Sequence, residues 1–298
     1  MKVLMKGLNE EDAGFELERL KYQRKFFVSD KVSMSKKYED LFYVYRKPFL
    51  ICLGLAFFSQ AAGTSAFLYY GAEIFFQTQA DVDGIDERHE GAIILDDFVL
   101  VAFVIGNLIS AFLIMKAGRR QMMLWSLPGA FVSLCFLSYT MKESNYGEEE
   151  AEVDEKNGYR HMERVYFTIT IVIYTLCVSI GLSTTVWSIT SEILPNYLLA
   201  IGSSLTQSFG WIINFIINTF FLDALEDPVG RWVVFLVFAA MVALAILFVA
   251  ICVPETVGKS TRSNLTEMLG KDYIHKQTKK LRKEYDIIDI EVKEPMIR

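Results

Sequence analysis

The sequence predicts an all-α polytopic membrane protein with six transmembrane helices. Six apolar segments, at about residues 49–76, 98–115, 122–140, 165–189, 200–222 and 232–253, each approach the ~20 residues an α-helix needs to cross ~30 Å of hydrocarbon. None carries a Lys or Arg in its middle. The loops between them alternate in the sign of their charge, which ties each segment to a membrane side.

Taken in order, residues 1–47 are expected to form a cytoplasmic amphipathic linker. Leu17, Leu20 and Phe27 there interleave with Glu16, Glu18, Arg19, Lys21 and Arg24. Met1 to Asn9 turns polar within a few residues and lacks an apolar core of signal-peptide length, so the first span is expected to serve as the insertion signal. Residues 48–258 hold the six spans, and residues 259–298 form a charged cytoplasmic tail. Lys279, Lys280, Arg282 and Lys283 cluster in that tail, as a solvated end or a lipid-binding element.

Orientation follows from Lys and Arg. Arg46 and Lys47 precede the first span, Lys116, Arg119 and Arg120 lie between the second and third, and Lys259 and Arg262 follow the sixth. The alternate loops are acidic: Asp81, Asp83, Asp86, Glu87 and Glu90, then the run from Glu143 to Glu155, then Asp223, Glu226 and Asp227. Basic loops stay inside, so both termini are expected in the cytoplasm, with the plasma membrane as the bilayer partner.

Composition excludes several classes. The 298 residues are 52% hydrophobic with 23 Phe, and the net charge of −6 comes mostly from the acidic loops, so nucleic acid is not an expected partner. Cys52, Cys135, Cys177 and Cys252 fall inside spans without C-x-x-C spacing and read as packing residues. His89, His161 and His275 lie in loops or the tail, so no metal is expected, and no cofactor or catalytic motif is present. Enzyme chemistry has no residues to carry it.

Polar groups inside a span mark a face turned to protein or to a water-filled cavity. In the fifth span Gln207, Trp211, Asn214 and Asn218 share one helical stripe. Amides donate and accept, and an indole offers a flat apolar wall with one donor. That combination suits a neutral polyol, though hydrogen bonding between helices would use the same stripe. In the first span Gln60, Gly63, Thr64 and Phe67 share a face, with Tyr69 and Tyr70 beyond. Gly63 signals either a discontinuous helix or close helix packing. The fourth span holds Ser179, Gly181, Ser183, Thr184, Thr185 and Trp187, a stretch where hydroxyls can re-satisfy the carbonyls of a distorted helix. Glu73, Asp96 and Asp97 flank the outer ends, as solvated carboxylates or as proton-coupling groups.

Four motifs carry a resemblance. Ser59-Gln60-Ala61-Ala62-Gly63-Thr64-Ser65-Ala66-Phe67-Leu68-Tyr69-Tyr70 is similar to Q-Q-x-x-G-I-N-A-x-x-Y-Y; Gly118-Arg119-Arg120 to G-R-R; Ser191-Glu192-Ile193-Leu194-Pro195 to E-x-x-P; and Pro254-Glu255-Thr256-Val257-Gly258-Lys259-Ser260 to P-E-T-K-G-x-S. In this order they resemble the C-terminal half, helices seven to twelve, of the sugar porter family of the major facilitator superfamily. The departures are Ser59 and Ser65 at two amide positions, Leu182, Thr184 and Val186 in the helix-ten motif, Met115 for an acidic residue and Leu199 for an Arg.

The resemblance implies a hexose-type facilitator working by alternating access. Gln60 and Asn214 would read the hydroxyls of a small neutral sugar, Trp187 and Trp211 would form walls, and Thr64 and Ser65 would add weaker contacts. Arg119, Arg120, Glu192 and Glu255 would form the cytoplasmic gate. The missing six helices leave three alternatives: a truncated product, a half-transporter pairing with itself or another chain, or a remnant acting as a sugar sensor or interaction protein. A proton-coupled sugar symporter is the further alternative.

Overall fold

The computed structural model describes residues 32–78, 85–147, 153–226, 228–259, 261–274 and 276–277. The linker positions Leu17, Leu20 and Phe27 and the tail cluster Lys279, Lys280, Arg282 and Lys283 lie outside these residues. Without water in the bilayer core every backbone group must find an internal partner, and helices do this most simply. Among the described residues the chain accordingly forms α1 (Met34–Glu39), α2 (Arg46–Ala61), α3 (Thr64–Thr78), α4 (Ile85–Ala117), α5 (Arg119–Gly147), α6 (Val153–Val178), α7 (Thr184–Ile193), α8 (Asn196–Glu226), α9 (Pro228–Cys252) and α10 (Thr261–Leu269), with π-helical turns at Asp40–Val44 and Ser179–Ser183.

Six stretches are long and apolar enough to span a membrane: Arg46–Gly71, Asp96–Ile114, Arg119–Lys142, Val165–Ile193, Asn196–Leu225 and Trp232–Cys252. Each coincides with an expected span to within a few residues. The first of them joins α2 to α3, and the fourth joins α6 to α7 through the π-turn.

α5 packs most extensively on α9 and then on α6, while α2 lies on α8 and α3 on α4. The spans in α4 and α8 are only 22% and 29% buried, against 56% for the first, so these two leave most of their surface uncovered by this chain. At the centre, Phe67 stacks on Phe235 at 5.8 Å and Phe221 on Phe238 at 5.9 Å, which joins α3, α8 and α9. Between helices in lipid no apolar surface leaves water, so such contacts stabilise through close packing and dispersion.

The first span breaks where Gly63 suggested. Gly63 has φ +86, and a Cβ there would meet the Phe238 ring at 2.7 Å. Both properties open at sequence level, discontinuity and close packing, therefore occur at one residue. Ala66 N–H turns to the Gly63 carbonyl, and Ala62 carbonyl instead accepts from Tyr174 Oη of α6 at 2.6 Å.

α1 and its π-turn dock on the bundle. Leu41 is fully buried, with Gly202 and Leu194 alongside. Tyr197 Oη donates to Asp40 Oδ2 at 3.1 Å and Lys36 Nζ lies 3.6 Å from Oδ1. Burial raises the Asp40 carboxyl above its ordinary range, a shift that Tyr197 and Lys36 partly oppose.

Candidate functional site

Two polar constellations stand out in an otherwise apolar bundle, one lining a cavity between the spans and one at the basic end.

The cavity has a volume of about 180 Å³ and is reached by α2, α3, α4, α7 and α8. Gln60, Thr64, Ser65, Trp187, Trp211 and Asn214 all line it, so the six residues picked from sequence meet at one place. Its polar side is built at the break after α2. Because α2 stops at Ala61 and Gly63 turns the chain, Gln60 ends one helix while Thr64 and Ser65 begin the next. Asn214 Nδ2 of α8 donates to Gln60 Oε1 at 2.9 Å. Asn218 Nδ2, one turn on, reaches Asn214 Oδ1 at 3.0 Å, the Asn214 carbonyl at 2.9 Å and Ser65 Oγ at 3.3 Å. Asn218 Oδ1 is buried without a partner.

Thr64 is oriented through Tyr174. The single Tyr174 hydroxyl proton goes to Ala62 carbonyl, so Thr64 Oγ1, 3.4 Å from Tyr174 Oη, is the donor of that pair. The Gln60 amide nitrogen makes only a long contact to Ser59 Oγ, 3.4 Å, whose own proton goes to Ala56 carbonyl. Gln60 and Asn214 thus each keep an N–H for a hydroxyl, and Gln207 adds an amide to the same wall.

The apolar side carries Trp187, Trp211, Tyr69 and Phe103. Phe103 of α4 had no signal of its own among the many apolar residues of its span. None of the described lining residues has a carboxylate; Asp96 lies against Gly71 and Asp97 is exposed, neither among the lining residues, and the Glu73 side chain lies outside the described residues. The cavity is smaller than the ~300–1,000 Å³ of typical small-molecule pockets.

At the basic end, Arg119 Nη2 pairs with Glu192 Oε1 at 2.7 Å, both side chains being mostly buried. Arg119 N–H, at the start of α5, donates to Glu255 Oε1 at 3.2 Å, and Thr256 and Val257 N–H donate to the same oxygen at 2.9 and 3.2 Å. Gly118 has φ +89, and a Cβ there would meet Glu255 Oε2 at 2.8 Å, so glycine admits the carboxylate to the helix N-terminus. Among the described residues Arg120 meets no carboxylate: its Nη2 donates to Ala250 carbonyl at 2.6 Å. Asn264 of α10 is fully buried and donates to Glu192 carbonyl at 3.4 Å.

A third group escaped the sequence analysis. Asn107 and Ser110 on α4 bond to Thr184 Oγ1 and to Ile180 carbonyl in the π-turn region. A lone amide at mid-span was their available signal.

Six membrane-length helices and a cavity lined by amides, hydroxyls and aromatic rings define a polytopic membrane protein. The chain belongs to the sugar (and other) transporter family, whose model matches residues 2–266. It is similar to the facilitated trehalose transporters Tret1 of Drosophila willistoni (30% identity, 76% of this chain and 24% of the relative), Anopheles gambiae (28%, 76% and 26%) and Apis mellifera ligustica (29%, 72% and 39%). The chain thus spans about a quarter to two fifths of the relatives it matches. In fold it resembles the major facilitator superfamily proton:xylose symporter XylE bound to 6-bromo-6-deoxy-D-glucose, with a TM-score of 0.56 at 18% identity over 91% of this chain and 51% of that one. A D-xylose-proton symporter gives 0.53 at 17% identity over 87% and 53%. The bundle is thus about half of a major facilitator fold.

Proposed function

We propose that the chain supplies the sugar-binding wall of a facilitative transporter for a small neutral sugar of the hexose type, operating by alternating access. The carrying observation is that the bonded amides of Gln60 and Asn214 line one cavity together with Trp187 and Trp211. A cavity wall without a carboxylate supports facilitated passage over proton symport. The opposite wall comes from a further six-helix unit, in the same polypeptide or in a second one, including another copy of this chain. The uncovered faces of α4 and α8 support that reading.

The matched relatives are named for trehalose, a disaccharide, and the solved proteins for xylose. The site therefore has to be tested against all three sizes of sugar. Counterflow of labelled D-glucose, D-xylose and trehalose in proteoliposomes, with and without a co-expressed N-terminal six-helix unit, is the test. Saturable exchange of D-glucose only with the second unit is expected. Binding without exchange would instead support the sensor reading, which Ser59 and Ser65 at the amide positions favour.

The same proposal orients the chain with Arg119, Glu192 and both termini in the cytoplasm and places it at the plasma membrane. There the Arg119–Glu192 pair closes the inner side of the cavity in one state and opens in the other.

A further inference from the structure

The fourth span changes helix type in its middle, and the change is held from outside. We infer that Asn107 is a positioning residue that fixes the π-helical turn Ser179–Ser183 and, through it, the aim of Trp187 at the cavity. The inference rests on the sugar-site reading only in its second half.

A π-turn holds one residue more per turn than an α-helix, so a single turn rotates everything after it by about 100° relative to an uninterrupted α-helix. Trp187 follows the turn by one helical turn, and Val178 and Ser183, the residues at its two edges, line the cavity with it. If the turn relaxed to α-helix, Trp187 would swing off this face.

The wider loop is poor in hydrogen-bond geometry, and across the turn the fourth span itself offers a long contact from Thr184 Oγ1 to the Ser179 carbonyl, 3.3 Å. Shorter bonds come from α4. Thr184, the first residue after the turn, donates through Oγ1 to Asn107 Oδ1 at 2.9 Å, with the Ser179 carbonyl at 3.3 Å as its alternative acceptor. Asn107 Nδ2 donates to Phe103 carbonyl at 2.8 Å, which fixes which face of the amide Thr184 meets. Three residues along the same face, the fully buried Ser110 donates to Ile180 carbonyl inside the turn at 3.0 Å. Start and end of the turn are therefore both tied to one neighbouring helix.

The approach is possible because residue 106 is Gly: a Cβ there would lie 2.6 Å from Ser179 Cβ and 3.2 Å from Leu176 carbonyl. Around Asn107 the α4 surface is Val104, Ile105, Leu108 and Ile109, all exposed and apolar, so the amide has little polar company but the turn. Asn107 is not itself a cavity residue. It acts on two that are, Phe103 through the backbone it caps and Trp187 through the turn.

The test uses the full chain in nanodiscs and hydrogen–deuterium exchange of the amides over 179–187, which needs no ligand. N107L and T184V should each raise exchange there about threefold to tenfold, the factor expected for one net hydrogen bond, while α5 and α9 keep theirs. T184S should behave as the parent, and N107L/T184V should be no worse than either single change. D-glucose and trehalose then serve as probes by equilibrium dialysis. N107L should weaken binding of whichever sugar the parent binds by about threefold to tenfold, and adding W187A to N107L should cost less than W187A alone. Unchanged exchange in both variants, or equal increases in every helix, overturns the inference. Raised exchange with unaltered sugar binding overturns its link to Trp187. Raised exchange in a chain that binds neither sugar leaves the positioning role standing and removes the sugar-site reading instead. Should N107L fail to fold, T184V breaks the same bond with a side chain of nearly equal shape.

Discussion

Asn214 donates to Gln60 at 2.9 Å, and this bond joins the middle of α8 to the last turn of α2 beside a break in the backbone. It preorganises two amides on one wall of the cavity while leaving each with an unspent N–H. A substrate hydroxyl entering there finds donors already aimed. Removing either amide both lowers the donor count and strands its partner. Asn214→Ala and Gln60→Ala are each expected to cost about 1–3 kcal/mol of sugar binding, a factor of roughly 5 to 150, by equilibrium dialysis. Full-strength binding in both variants would demote the pair to helix packing.

The Arg119–Glu192 pair is expected to couple. In a double-mutant cycle of Arg119→Gln and Glu192→Gln, read as chemical stability in nanodiscs, the interaction term should lie at about 0.5–3 kcal/mol. Arg120→Gln should show no coupling to Glu192→Gln, because Arg120 bonds to Ala250 carbonyl. Strict additivity in the first cycle removes the gate pair.

Tyr174→Phe removes the hydroxyl that donates to the Ala62 carbonyl and accepts from Thr64. The expected loss is about 1–3 kcal/mol of stability, for a change of one oxygen in a wholly buried ring. Gly63→Ala should cost about 1–2 kcal/mol for its left-handed backbone, and more for the contact with Phe238. Adding Phe238→Ala should relieve the contact but not the backbone term. Apparent melting temperatures of the three variants order these effects.

These last positions show how far the sequence could be read. Helix number and span limits were legible because hydrocarbon admits little except long apolar helices, and Lys and Arg mark the span ends. Gln60, Trp187, Trp211 and Asn214 were legible because a polar stripe in a span has to face something. Gly63 announced a disturbance without its kind. The roles of Tyr174 and Asn107 were not legible: each is one of a few scattered polar residues in a mostly apolar span, and its partner lies 112 residues away for Tyr174 and 77 for Asn107. Periodicity detects faces, and a single cross-helix bond has no period.

Asp40 supplies a pH dependence. Its carboxyl is raised by burial, so the folded state favours the neutral form. Below the ordinary carboxylate pKa the contribution to stability is fully present, and it is lost as pH rises through the raised folded value. Asp40→Asn should abolish that decline, and the parent's apparent melting temperature should fall relative to the variant's as pH rises above the ordinary carboxylate range. A constant difference across that rise would mean that Asp40 titrates alike in both states. Tyr197→Phe should push the decline to still higher pH, since Tyr197 donates to the ionised carboxylate.

The bond from Tyr174 to Ala62 also orders events in time. The acceptor belongs to the first of these spans and the donor to the fourth, and a ribosome delivers them in that sequence. Until the fourth arrives, a kinked first span would expose a carbonyl to lipid with no hydrogen to accept, a cost of several kcal/mol. The newly inserted segment is therefore driven to remain a straight rod, with Ala66 N–H serving Ala62 in the ordinary way. The bend is expected to be a late event in biogenesis, made when Tyr174 is at hand, and a chain halted after its third span would carry Gln60, Thr64 and Ser65 without the break that separates them.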